Sequence, residues 1–154
     1  MQHKPSQDAS RIKGLHHAGL SVSDLDRSIA FYCDLLGMRL LRQDAFQPGS
    51  LDRITALPGA RGRSAMLQAG AQYLELFEFA TPTPRPRDVS APVCDHGISH
   101  VCVEVTDLEG AYRRLSEAGV RFHCPPQAFA HMKATYARDP DGNVVELLEI
   151  PASA

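Results

Sequence analysis

Two short stretches carry the same chemistry-bearing residue at the same place. In "GLHHAGLSV" (14–22) and "GISHVCVEV" (97–105) a histidine stands five residues before a valine that leads into a helix-start signal, His17 before Val22 and His100 before Val105. Further along, "YLELF" carries Glu75 and "VVELLE" carries Glu146, each inside a run that reads as a strand. Alternation along a strand puts Glu75 on one face with Tyr73 and Phe77, and Glu146 on one face with Val144 and Leu148. A carboxylate among such neighbours is costly to bury without a cation or a strong hydrogen-bond donor. Two neutral imidazoles and two carboxylates around one divalent cation form a charge-neutral set in which all four can be buried together. A single strand histidine or glutamate is ordinary. Both types recurring at equivalent places of a repeated unit point to a metal site made of His17, Glu75, His100 and Glu146. His16 is expected on the opposite strand face, exposed, and Glu78 and Glu149 alternate away from Glu75 and Glu146 into solvent.

The elements that position these residues form an internal repeat. "HAGLSVSDLDRSIAFYCDLLGMRL" (17–40) matches "HVCVEVTDLEGAYRRLSEAGVRF" (100–122): His17/His100 and Asp24/Asp107 are both 83 apart, and Gly37/Gly119 are 82 apart. Each copy reads as a strand, an Asp N-cap, an amphipathic helix, a Gly stop and a new strand. Apolar residues recur at helical spacing at Ile29, Tyr32 and Leu36, and again at Leu108, Tyr112 and Leu115. Each half then closes with two strands, 63–68 and 72–79 around "AGA", and 133–138 and 143–150 around "DPDG". The expected fold class is α+β, built of tandem βαβββ modules over 14–80 and 97–150. A Pro-rich linker (81–96) joins them, and tails (1–13, 151–154) flank them. Residues 44–62 have no counterpart in the second half and are expected to form a substrate-facing loop.

Bulk composition narrows the class. The chain has 154 residues, 44% hydrophobic and 22% charged, with a net charge of −2. Such a chain has no basic surplus for nucleic acid, and its longest apolar runs are too short to cross a bilayer. The first residues lack the apolar core of a secretory signal. Cys33, Cys94, Cys102 and Cys124 show no metal or disulfide spacing, so reduced thiols in a cytoplasmic protein are expected, with Cys33 and Cys102 in the core.

Taken with the duplicated βαβββ pattern, "LHHAGLSVSDLDRSIAFYCDLLGMRLL", "YLELFE", "HGISHVCVEVTDLEGAYRRLSEAGV" and "DPDGNVVELLE" resemble the vicinal oxygen chelate superfamily over residues 14–150. That group contains lactoylglutathione lyase (glyoxalase I), methylmalonyl-CoA epimerase, extradiol dioxygenases, and fosfomycin and bleomycin resistance proteins. The resemblance implies modules pairing into a cupped, half-barrel mixed sheet around a metal, often in a homodimer. In the lyase and epimerase branches the ligands are a His on each first strand and a Glu or Gln on each last strand, places that fall here on His17, Glu75, His100 and Glu146.

Such a set suits Ni, Co, Zn, Mn or Fe as divalent ions and leaves two positions for neighbouring substrate oxygens. The chemistry implied is abstraction of an α-proton through a metal-stabilised enediolate or enolate, with Glu146 the first choice as base and Glu75 the second. The substrate would be a small molecule, with a glutathione adduct and an acyl-CoA as equal candidates. His131 and Lys133 could lean over the metal, and Arg53, Arg61 and Arg63 could hold an anionic substrate group, with a solvated loop and ordinary surface charges as the commoner account of them. The rival readings are an Fe(II)-dependent extradiol-type dioxygenase, a non-enzymatic ligand-sequestering resistance protein and a fosfomycin-type transferase. A complete four-residue set disfavours all three.

Overall fold

Asp24 and Asp107 cap helices as their sequence context predicts. The Asp24 side chain accepts from the Arg27 amide and Asp107 from the Gly110 amide, satisfying first-turn donors that the helices cannot. The computed structural model describes residues 11–151; the expected tails fall mostly on 1–10 and 152–154, outside the described residues.

In the first half, β1 (His17–Ser21) leads into α1 (Leu25–Ile29), which widens into a π-helical stretch over Ala30–Leu35. Then follow β2 (Arg39–Phe46), α2 (Ser50–Thr55), β3 (Arg61–Ala69) and β4 (Gln72–Thr81). The second half contains β5 (Val101–Glu104), α3 (Leu108–Glu117), β6 (Arg121–Phe122), β7 (Gln127–Phe129), β8 (Met132–Arg138) and β9 (Val144–Glu149). Gly37 and Gly119 take φ of 79° and 86°, the left-handed geometry that ends each helix and costs a residue without Cβ least.

The two halves form two mixed sheets of the same topology. The first has the order β1-β4-β3-β2 and the second β5-β9-β8-β6, with β7 also paired to β8. In each, the opening strand runs parallel to the closing strand and the remaining pairs are antiparallel. Consequently β1 and β5 each pair on one side only and stand as sheet edges.

One face of each sheet carries the core. Leu74 and Leu76 on β4 and Leu67 on β3 pack with Val22, Leu25, Phe31 and Tyr32. Leu147 on β9 packs with Leu108 and Leu115 of α3. The halves share these clusters, since Val145 belongs to the first and Leu35 and Leu36 pack against the second. Polar contacts add to the join. The buried Tyr32 hydroxyl donates to Asp139 at 2.8 Å, Ser23 N to Asp141 at 3.0 Å, and Arg114 to the Leu35 carbonyl at 2.7 Å. Asp139 also accepts from the Asp141 and Asn143 amides and the Asn143 side chain, so its carboxylate is fully partnered inside the protein.

Three expectations need correction. The segment 44–62 is mostly ordered structure: β2 runs to Phe46, α2 occupies Ser50–Thr55 and β3 begins at Arg61. An Asp52 carboxylate accepting from the Gly59 amide folds the chain back after α2. Cys102 is exposed rather than part of the core, because on β5 it points away from the helix side. Glu78 and Glu149 are not simply solvated. Glu78 pairs with Arg63 at 2.6 Å, and Glu149 accepts from the Leu108 amide at 2.8 Å, completing the N-terminal turn of α3.

Candidate metal centre

Each half builds the same small arrangement. On the first sheet His17 stands two residues before Gly19, the cross-strand neighbour of Glu75, and its Nε2 lies 3.2 Å from Glu75 Oε2. On the second, His100 stands just before β5 and two residues before Cys102, the neighbour of Glu146, with Nε2 3.1 Å from Glu146 Oε2. Both glutamates lie on the sheet face away from the helices, since the core takes the alternate residues Leu74, Leu76, Val145 and Leu147. Their side chains keep only 18% and 15% of their exposure, so they need the partners they have.

The other ring nitrogen of each imidazole is also engaged. His17 Nδ1 lies 2.8 Å from His16 Nδ1, and His100 Nδ1 lies 2.8 Å from the Ser99 hydroxyl. His16 is exposed as expected, but it is stacked on Tyr73 at 5.1 Å and touches His17 rather than lying apart from it. Fixing Nδ1 presents Nε2 toward the glutamate, the arrangement metal-ligating histidines use.

Each half supplies one imidazole and one carboxylate, donor types that a divalent cation accepts. Adjacent ligands at right angles, with bonds of about 2.1 Å, stand about 3.0 Å apart, and the imidazole–carboxylate separations of 3.2 and 3.1 Å match that spacing. Within one chain the pairs remain apart. Among the described residues no three His, Cys, Asp or Glu side chains are gathered closely enough to hold a metal ion.

The other candidates lie elsewhere. Arg63 is held by Asp26 at 3.0 Å and Glu78 at 2.6 Å, and Lys133 is 4.0 Å from Glu109. Register puts both on the helix side of their sheets, an odd number of residues from Met66 and Tyr136, which flank the glutamates. Arg61 reaches Gln47, Arg53 is exposed on α2, and His131 is exposed in the turn between β7 and β8.

Two residues that sequence reasoning did not select do share the site face. Cys102 and Tyr136 are the cross-strand neighbours of Glu146. Burial, with a hydrogen bond to Glu146, pushes the Cys102 thiol up to about 12, and burial with the Glu146 charge raises the Tyr136 hydroxyl. Both are therefore neutral donors beside the carboxylate at physiological pH. The repeat could have flagged Cys102, which occupies the place of Gly19 in the first copy.

Comparison with known proteins agrees with this architecture. Residues 14–147 match the profile of the Glyoxalase/Bleomycin resistance protein/Dioxygenase superfamily. The chain is 32% identical over 153 residues to a 2-epi-5-epi-valiolone epimerase from an Actinomyces species, covering 91% of this chain and 81% of that protein. It is 30% identical over 143 residues to a lactoylglutathione lyase of Pseudomonas aeruginosa, covering 87% and 81%. A crystal structure of a glyoxalase family protein from Bacillus cereus shares the fold, with a TM-score of 0.88 at 22% identity over 96% of this chain and all of that one. The protein belongs to the Glyoxalase/Bleomycin resistance protein/Dioxygenase superfamily, the vicinal oxygen chelate group. That superfamily includes enzymes such as lactoylglutathione lyase and epimerases, and its members typically use divalent metals.

Proposed function

We propose that the protein is a metal-dependent lyase or epimerase, active as a homodimer, that removes a proton from carbon beside a carbonyl in a small oxygen-rich substrate. The observation that carries this reading is the matched pair of imidazole–carboxylate contacts at 3.2 and 3.1 Å. His17 lies on β1, and His100 directly precedes β5, and each of these strands is one of the edges of its sheet. Setting β1 of one copy against β5 of a second brings His17 and Glu75 to face His100 and Glu146. A symmetric pair of chains then holds two such sites, each drawn from both copies.

A bound Ni, Co, Zn, Mn or Fe ion supplies Lewis acidity that lowers the energy of negative charge on the substrate's oxygens. The chain's own residues do the rest. His16 and Ser99 hold the imidazole Nδ1 atoms. Glu146 and Glu75, largely shielded from water, are the groups that take the α-proton and give it back. Returning it to the same carbon from the other side is epimerisation, and returning it to the neighbouring carbon is the lyase-type outcome. Both outcomes begin with the same proton removal, so an α-hydroxyketone, a glutathione hemithioacetal and an acyl-CoA are the substrate classes to try. The free cysteines support a cytoplasmic setting.

Metal analysis of protein purified without chelator, followed by incorporation of solvent deuterium into those probes, tests the reading. Nickel, cobalt or zinc at one ion per chain with deuterium uptake is expected. Iron with oxygen consumption would replace it with a dioxygenase, and failure to retain any divalent metal would replace it with a binding protein.

A further inference from the structure

Phe46, Phe77 and Phe79 meet on the face of the first sheet that carries Glu75. Alternation along β4 sends Phe77 and Phe79 to the side of Glu75, two and four residues on, or about 7 and 14 Å along the strand. Phe46 joins them from β2, where it pairs with Gly62, itself the cross-strand neighbour of Phe79. Ring centroids lie 5.4 Å apart for Phe46 and Phe79, 5.7 Å for Phe77 and Phe79, and 6.1 Å for Phe46 and Phe77. Gly62 makes the cluster possible, since a Cβ there would run into the Phe46 ring.

The helical core does not need these rings. It lies on the opposite face, where Leu67, Leu74 and Leu76 pack with Leu25 and Phe31, and the three rings stay half-buried. Ser21 on β1 and Ser64 on β3 flank Phe77, and both are too small to cover it. Arg42 and Asp44, on β2 in the rows of Glu75 and Phe77, pair with each other at 3.5 Å and together add no net charge. On such a floor a flat apolar group gains from burial and ring packing, whereas an anionic group loses water without finding a partner. Building on the function proposed above, we infer that Phe46, Phe77 and Phe79 form a specificity subsite. It holds an uncharged, flat carbon ring carried next to the substrate's metal-binding oxygens. An α-hydroxyketone that bears a ring fits this subsite; the charged tails of a glutathione adduct or an acyl-CoA do not.

The test uses the Co²⁺-loaded homodimer and two chelators that offer the same neighbouring pair of oxygens, benzohydroxamate and acetohydroxamate. The visible absorption of cobalt reports binding of each, so no turnover is needed. Ring burial with aromatic packing is expected to favour benzohydroxamate by at least about tenfold in wild type. Phe77→Ala and Phe79→Ala are expected to bring that ratio within about threefold while acetohydroxamate binds as in wild type. Phe77→Leu keeps the apolar bulk, so it serves even where an alanine variant fails to fold, and it should lower the ratio at least about twofold. The inference falls, with the proposed function intact, if wild type binds both chelators equally or if the preference survives in all three variants. It also falls if the variants dissociate the homodimer with the ratio unchanged, because the rings would then be a contact between copies. A wild-type protein that binds no Co²⁺, or whose bound Co²⁺ takes neither chelator, overturns the proposed function and this inference together.

Discussion

If each metal centre takes one imidazole–carboxylate pair from each of two copies, two crippled chains can repair one another. His17→Ala damages the first pair and His100→Ala the second. Both histidines are partly exposed beside sheet edges, with side chains at 38% and 29%, so neither change removes core packing. A homodimer of either variant has two sites that each lack one imidazole. Co-refolding equal amounts gives the two homodimers and the heterodimer in the ratio 1:2:1 if pairing is random. Each heterodimer then holds one site with both imidazoles and one with neither. Half of the dimers regain one of their two sites, so about a quarter of the wild-type number of tight sites should return. Co²⁺ titration reads that fraction directly, at metal concentrations where neither variant alone is occupied. The expectation follows from the separation of the pairs, which places His17 with Glu75 and His100 with Glu146 but gathers no third ligand within one chain among the described residues. A wild-type protein that binds Co²⁺ beside a mixture that recovers no sites would refute the shared-site geometry.

Three further expectations can be checked on the metal-free protein. Tyr32→Phe keeps the buried ring and deletes one donor to the Asp139 carboxylate, a charged hydrogen bond of the kind that contributes about 1.5–3 kcal/mol; urea unfolding should show that loss, and a change below about 0.5 kcal/mol would contradict the assigned role. Gly62→Ala would drive its Cβ into the Glu78 carbonyl oxygen, so the β3–β4 pairing must shift; a drop of about 1–3 kcal/mol is expected, and an unchanged midpoint would show that the close approach is not there. The Cys102 thiol is raised to about 12, so its thiolate forms only as pH climbs toward that value and is scarce at pH 8. All three are exposed, so brief alkylation at pH 8 read by peptide mass spectrometry should label Cys94 and Cys124 well ahead of Cys102; equal labelling would mean that the Cys102 thiol is not raised.

The repeat made most of the architecture legible. Asp24, Asp107, Gly37 and Gly119 act locally, through capping and left-handed geometry, so their types alone located the helix ends. The His–Glu pairings were legible for a related reason, since period-two alternation and equivalent positions predicted which side chains share a face. What was hidden depends on register between distant strands. Cys102 looked like core because it sits between valines, yet only the β5–β9 pairing shows that it faces Glu146. Lys133 and Arg63 looked available to a substrate until pairing with β9 and β4 turned them toward the helices. The widening of α1 into a π-helical stretch at Ala30–Leu35 has no Pro or Gly to announce it. Likewise, the separation of the two pairs within one chain is set by how the sheets pack, which neither half encodes alone.

The polar contacts at the join between the halves include Tyr32 with Asp139 and Ser23 with Asp141, which span 107 and 118 residues of chain. The connector at 82–100 contributes no helix or strand to it. The connector is itself tied to the second half, Arg87 donating to the Asn143 side chain and the Ala91 carbonyl accepting from Arg138, while the two aspartates of the "DPDG" turn act as a hinge pin. An engineer wishing to re-angle the halves would leave the prolines alone and edit the turn.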